Sequence, residues 1–171
     1  MVELASIRSG IGESMEDRYL FKAKRLDNGE WVTGNLIQNP FFKGVRSWIS
    51  SEQEDKTRLR SISRTQALWN SIEVDSSTIC QCTGLKDKNG KLIWENDILK
   101  DLFSDTHAPI RYGSYQNCFD STKAEHIGFY VDWSEKYTKN YRKDLGCWIH
   151  MVDAEAIGNI FDNPELLKSE G

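Results

Sequence analysis

Regular alternation of apolar and polar positions begins at residues 19–26, YLFKAKRL. There Tyr19, Phe21 and Ala23 fall on one side of an extended chain and Lys22 and Lys24 on the other. A period of two predicts a strand with one buried face. Asp27-Asn28-Gly29 follows, residue types that accept the positive φ angles of a tight hairpin turn. Trp31-Val32-Thr33 and Leu36-Ile37 make the return strand, with Gly34 a bulge or a point of close backbone approach.

Asn39-Pro40 ends that strand, and Val45 to Ile49 suits another short one. Residues 50–61 are polar and mixed in charge, a loop pattern. Ser63 to Asn70 fits one or two helical turns, with Ser63 as cap and Leu68-Trp69 facing inward. The stretch 38–78 is where a variable insertion is expected. From Ser77 to Cys82 the chain reads as extended, and Asp87-Lys88-Asn89-Gly90 is a second turn signal. Leu92-Ile93-Trp94, the bend Glu95-Asn96-Asp97 and Ile98-Leu99 then predict two strands meeting at a corner, as small β-barrels require. Further strands are predicted at Pro109–Tyr112, Gly128–Trp133, Cys147–Met151 and Ala156–Phe161. Asn163-Pro164-Glu165 has a capping residue followed by proline at the first helical position, so one closing helical turn is expected.

The expected fold is therefore mainly β: a barrel-like meander of the SH3/OB kind, built of hairpins, with one or two short helices. Residues 1–14, small and polar without a period, are expected to form a flexible tail before Met15. Residues 15–171 are expected to form a single domain, without an internal repeat. At this length a compact chain buries roughly 70% of its unfolded surface, enough to hold a core without disulfides or metal.

Composition narrows the function classes. The chain of 171 residues carries a net charge of −4, so no global cationic field draws it to nucleic acid or an anionic membrane. No apolar run approaches the 18 or so residues of a membrane-spanning helix, and the opening residues lack the pattern of a secretory signal. A cytoplasmic protein with its four cysteines reduced is the expectation.

Three segments together resemble the YopX family of phage and prophage proteins: YLFKAKRLDNGEWVTGNLI at 19–37, CTGLKDKNGKLIWENDIL at 82–99 and AIGNIFDNPELL at 156–167. The second departs from the family pattern in having Asn96 where glycine is usual before the Asp. Asparagine tolerates the left-handed backbone better than other side chains, so the bend is expected to survive. The resemblance implies a mostly β, barrel-like domain of phage origin and implies no activity. Its motif residues read as architecture: Gly29, Gly84, Asp87, Asn89, Gly90, Asp97, Gly158, Asn159 and Pro164.

Candidate chemistry is sparse. Cys80, Cys82, Cys118, Cys147, His107, His126 and His150 are metal-ligand types, but only one closely spaced cysteine pair occurs, whereas structural zinc uses two. Buried thiols acting as small apolar side chains are the favoured reading, and no metal or other cofactor is expected. Lys136, Tyr137, Lys139, Tyr141, Arg142 and Lys143 interleave cations and aromatics as a single-strand groove would, and Arg58, Arg60 and Arg64 lie in a second basic run with Lys56. Glu135, Asp144 and the acidic total argue for an ordinary solvated loop instead. Glu95 and Asp97 alternate as a metal-binding carboxylate pair would, yet Asp97 is more simply a turn residue bonding backbone N–H groups. No nucleophile elbow, phosphate loop or paired-histidine zinc motif is present. The 19 aromatic residues suggest that some, such as Trp48, Trp69 or Trp133, sit at an interface.

The reading is a phage accessory protein that binds without catalysing, as a homo-oligomer with a further host or phage partner unspecified. Nucleic-acid binding through the two basic runs is the second reading. A metal-dependent enzyme is the third.

Overall fold

The structure is a computed structural model, and it describes residues 17–39, 46–50, 71–100, 106–116, 121–122, 124–132, 143–145, 149 and 154–168. The turn signals set the local geometry. Strands β1 (Phe21–Lys24) and β2 (Trp31–Asn39) pair antiparallel from Phe21↔Gly34 to Lys24↔Trp31. The Arg25 and Gly29 N–H groups close the loop between them, donating to Glu30 and Arg25 carbonyls, and Gly29 has φ 74°. Tyr19 does not extend β1 as its alternation predicted. It ends a 3-10 turn, Asp17–Tyr19, whose Leu20 N–H returns to the Asp17 carbonyl, and it is 65% exposed.

Strand β2 is shared. Residues 31–34 pair with β1, whereas Asn35–Asn39 pair with β3 (Arg46–Ser50). The strand changes partner at Gly34, where a Cβ would overlap the Ser50 carbonyl oxygen. Register is continuous on both sides, so Gly34 marks close approach, with no bulge. Strand β4 (Ser71–Val74), absent from the sequence reading, pairs with β3. Its far edge meets β1 again through an isolated Arg25↔Val74 bridge, flanked by bonds from Leu26 N–H to Glu73 and from Asp75 N–H to Lys24. The sheet is thus curled toward a barrel around Ala23, Ile49 and Val74. One bridge is not a ladder, and the sheet stays open where closure was expected.

Strands β5 (Cys80–Lys86) and β6 (Leu92–Trp94) complete this sheet, in the order β4-β3-β2-β1-β5-β6. The chain turns at Glu95-Asn96 and enters a second antiparallel sheet. Its strands are β7 (Asp97–Lys100), β8 (His107–Gln116), β9 (Glu125–Val131), β10 (Lys143–Asp144) and β11 (Glu155–Asn159), in the order β10-β9-β8-β7-β11. Ile93, Leu99, Ala108, Ile110, Val131, Leu145 and Ile149 form its core. Most of the strand predicted at Cys147–Met151 lies outside the described residues. Ile149 itself is helical, as is Leu145, and both are buried in the core.

The closing turn is a 3-10 helix, Pro164–Leu167. Asn163 precedes it without capping it by its side chain, whose Oδ1 instead accepts from the Asn159 N–H at 3.4 Å and lies over Gly158. Ser50, predicted to open a loop over 50–61, is instead the last residue of β3, held by pairing to Asn35 and Ser71; the rest of that loop, the tail and the helix predicted at 63–70 fall outside the described residues.

Candidate functional site

The three segments carrying the family resemblance, far apart in the chain, meet where the two sheets join. Asn96 is the hinge pin, the one described non-glycine residue with positive φ, 66°. Its N–H donates to the Ile110 carbonyl in β8 at 2.9 Å, and its carbonyl accepts from Ile160, beyond β11, at 3.0 Å. Its Oδ1 accepts from the Arg111 guanidinium at 2.7 Å, while Nδ2 points at Cys80 Sγ, 3.7 Å away. The left-handed bend predicted from Asn96 is present, and its side chain adds bonds that glycine could not.

Asp97 follows, almost wholly buried. Its Oδ2 accepts from the Trp94 N–H at 3.0 Å, as a turn Asp should, and its Oδ1 meets Lys22 Nζ at 2.6 Å. Lys22 lies between two indoles, its ammonium 5.2 Å from the Trp31 ring centre and 5.4 Å from that of Trp94. Burial raises the Asp97 carboxyl above the ordinary carboxylate range, an effect that the Lys22 charge and hydrogen bond only partly offset. Burial likewise raises Glu95.

The third segment closes the outer side. Asp162 accepts from Trp31 Nε1 at 2.6 Å and Asn159 Nδ2 at 2.9 Å, and forms an ion pair with Lys24. Burial acts to raise its carboxyl, but the bonds from Lys24, Asn159 and Trp31 outweigh this and bring it down to about 2. Phe161 packs against Trp31 with ring centres 5.9 Å apart. Beneath lie Cys80 and Cys82, buried with Trp94; burial pushes the Cys80 thiol up to about 11, so it stays protonated and apolar in character.

The second turn has a similar part. Buried Asp87 accepts from Asn89 and Lys91 N–H groups through Oδ1, and from the Ala156 N–H of β11 through Oδ2 at 3.2 Å. Lys88 N–H bonds the Ala154 carbonyl, so the turn lies along the outer edge of β11 and covers it. Gly90 has φ 79° in this turn, and Gly84, φ 78°, lies against the Arg18 side chain.

A different surface is offered by the β8–β9 hairpin. The stripe Ala108, Ile110 and Val131 is buried in the core. It continues outward along the same face through the register pairs Tyr112↔Phe129 and Ser114↔Ile127, where Tyr112 is 55% and Ile127 76% exposed. Tyr112 and Phe129 meet edge to face at 5.1 Å. On the opposite face Gly113 pairs with Gly128, and the rings of Tyr130 and Tyr115 lie over them. The first face of the hairpin arm thus exposes Tyr112 and Ile127, while Phe129 between them packs against the core.

Of the nucleic-acid candidates, Arg58, Arg60, Arg64, Lys136, Tyr137, Lys139, Tyr141 and Arg142 lie outside the described residues. The Lys143 backbone pairs with Val131 at the sheet edge. Trp48 is half-buried in β3, and Trp69 and Trp133 lie outside. His107 and His126 fall in different strands, and no group of three His, Cys, Asp or Glu gathers among the described residues. The Lys22–Trp31–Asp162 half of the joint escaped sequence reading. The available signal was two lysines on the polar side of a strand that returns through a tryptophan.

A family model described as YopX protein matches residues 20–168. No curated protein matches the chain.

Proposed function

The chain belongs to the YopX protein family, and from that premise we propose that it is a phage-type accessory protein that acts by binding and associates with itself through the uncovered face of the β8–β9 arm. One observation carries this reading: the apolar stripe of the core runs out of the molecule along Tyr112, Phe129 and Ile127. A two-stranded ribbon has little stability alone in water, and a core-like face on it is stabilised by being covered. The catalytic alternative finds no support in Asp97, whose two oxygens are engaged by Lys22 and the Trp94 N–H.

The area is modest. One large aromatic side chain buries about 150–250 Å², and a standard interface takes about 800 Å² from each partner. The association is therefore weak and concentration-dependent. Light scattering over a concentration series tests it. The unaltered protein is expected to grow in mass with concentration, and Ile127→Lys to remain monomeric. A monomer at every concentration refutes the reading. A gel shift with a steep salt dependence would favour nucleic acid as partner.

A further inference from the structure

Among the ion pairs of the described residues, Lys22–Asp97 is the deepest, with side chains 14% and 4% exposed. The others are surface contacts. This pair also joins the two sheets, since Lys22 stands in β1 and Asp97 opens β7, 75 residues later.

We propose that Lys22 and Asp97 form a modification site, joined by an amide between Lys22 Nζ and Asp97 Cγ. The step is a condensation, balanced without an external reagent. A proton passes from the ammonium to Oδ1, leaving a neutral amine and a neutral acid. Nζ then bonds to Cγ, a second proton follows to Oδ1, and the Cγ–Oδ1 bond breaks to release water. Oδ2 remains as the amide carbonyl, and Nζ keeps one proton.

Three features of the joint favour this chemistry. Nζ is held 2.6 Å from Oδ1, on the carboxyl group whose carbon it would attack, so the two groups need no diffusional encounter. The Trp94 N–H, 3.0 Å from Oδ2, lies where negative charge develops during attack and persists as a donor to the product carbonyl. Finally, Trp94 and the pair itself are withdrawn from water, which penalises the separated charges relative to the neutral reactants. The raised Asp97 carboxyl is consistent with that penalty. The indoles of Trp31 and Trp94 oppose the step by stabilising the ammonium.

The cross-link would fasten the first sheet to the second independently of any self-association, and the test is made on denatured chains, where association has no influence. Intact-mass measurement of the purified unaltered protein is expected to find it lighter than its sequence by one water. Trypsin should fail to cleave after Lys22, and the peptide containing Lys22 should be recovered joined to the one containing Asp97. Lys22→Arg retains the charge and should restore the full mass. The proposal is overturned by an unaltered protein of full sequence mass cleaved normally after Lys22. It is equally overturned if the lost water maps to another residue.

Discussion

The joint between the sheets and the β8–β9 arm handle polar and apolar groups in opposite ways. At the joint, Asp87, Asn96, Asp97 and Asp162 each bind two or more partners drawn from separate elements, and the indoles are flanked by lysine ammonium groups and Phe161. On the arm, Tyr112 and Ile127 face solvent although they extend a core stripe. The joint is rich in the family's recurring residues and the arm lies outside all three segments. The motif segments hold the backbone, and the surface proposed for association lies outside them.

That contrast is most severely tested by Asp97→Ala. It takes from Lys22 its partner across the joint and from the Trp94 N–H its acceptor, and should cost about 3–5 kcal/mol by urea denaturation. An effect of only a few tenths would show that the joint is incidental. Next, Gly34→Ala places a methyl group against the Ser50 backbone and should cost about 1–3 kcal/mol, since neither strand can yield without breaking the shared ladder.

Asp162→Asn sharpens the picture through pH. The folded carboxyl titrates near 2 against an ordinary value of 3.8, so its contribution is present above about pH 4 and disappears as pH falls toward 2. Because this group is partly exposed, the amount is under about 1 kcal/mol. The variant should show a flatter stability profile between pH 4 and 2. Unchanged acid sensitivity would remove Asp162 from the joint. Smallest of all, Ile127→Lys should alter stability by no more than about 0.5 kcal/mol, because Ile127 is 76% exposed, while abolishing concentration-dependent mass. A large loss of stability would mean the arm belongs to the core.

What the chain disclosed in advance was its short-range geometry. Asp27-Asn28-Gly29 and Asp87 to Gly90 announce their turns because the constraint is local, and Asn96 could be read as left-handed from its neighbours. Ser71–Val74 gave no such signal. Its sequence SIEV does alternate, but over only four residues, the shortest run that can register as a strand, and it is a strand because β3 and Arg25 supply partners on its two sides. Tyr19 fitted the alternation but was drawn into a 3-10 turn. Lys22 was read correctly as lying opposite Phe21, yet a polar strand face does not reveal that a second sheet will cover it. The convergence of positions near 22, 97 and 162 depends on how two sheets dock, a relation no window along the chain contains.

The bond from Trp31 to Asp162 closes a loop of 131 residues. During synthesis Trp31 emerges from the ribosome long before its acceptor exists, and the indole must wait uncapped while the intervening strands are made. Early hairpins can assemble as they appear, but the latch between the first and third segments is set only after Asp162 has been made. A nascent chain stalled before Asp162 would thus offer chaperones and proteases an open seam that the finished protein conceals.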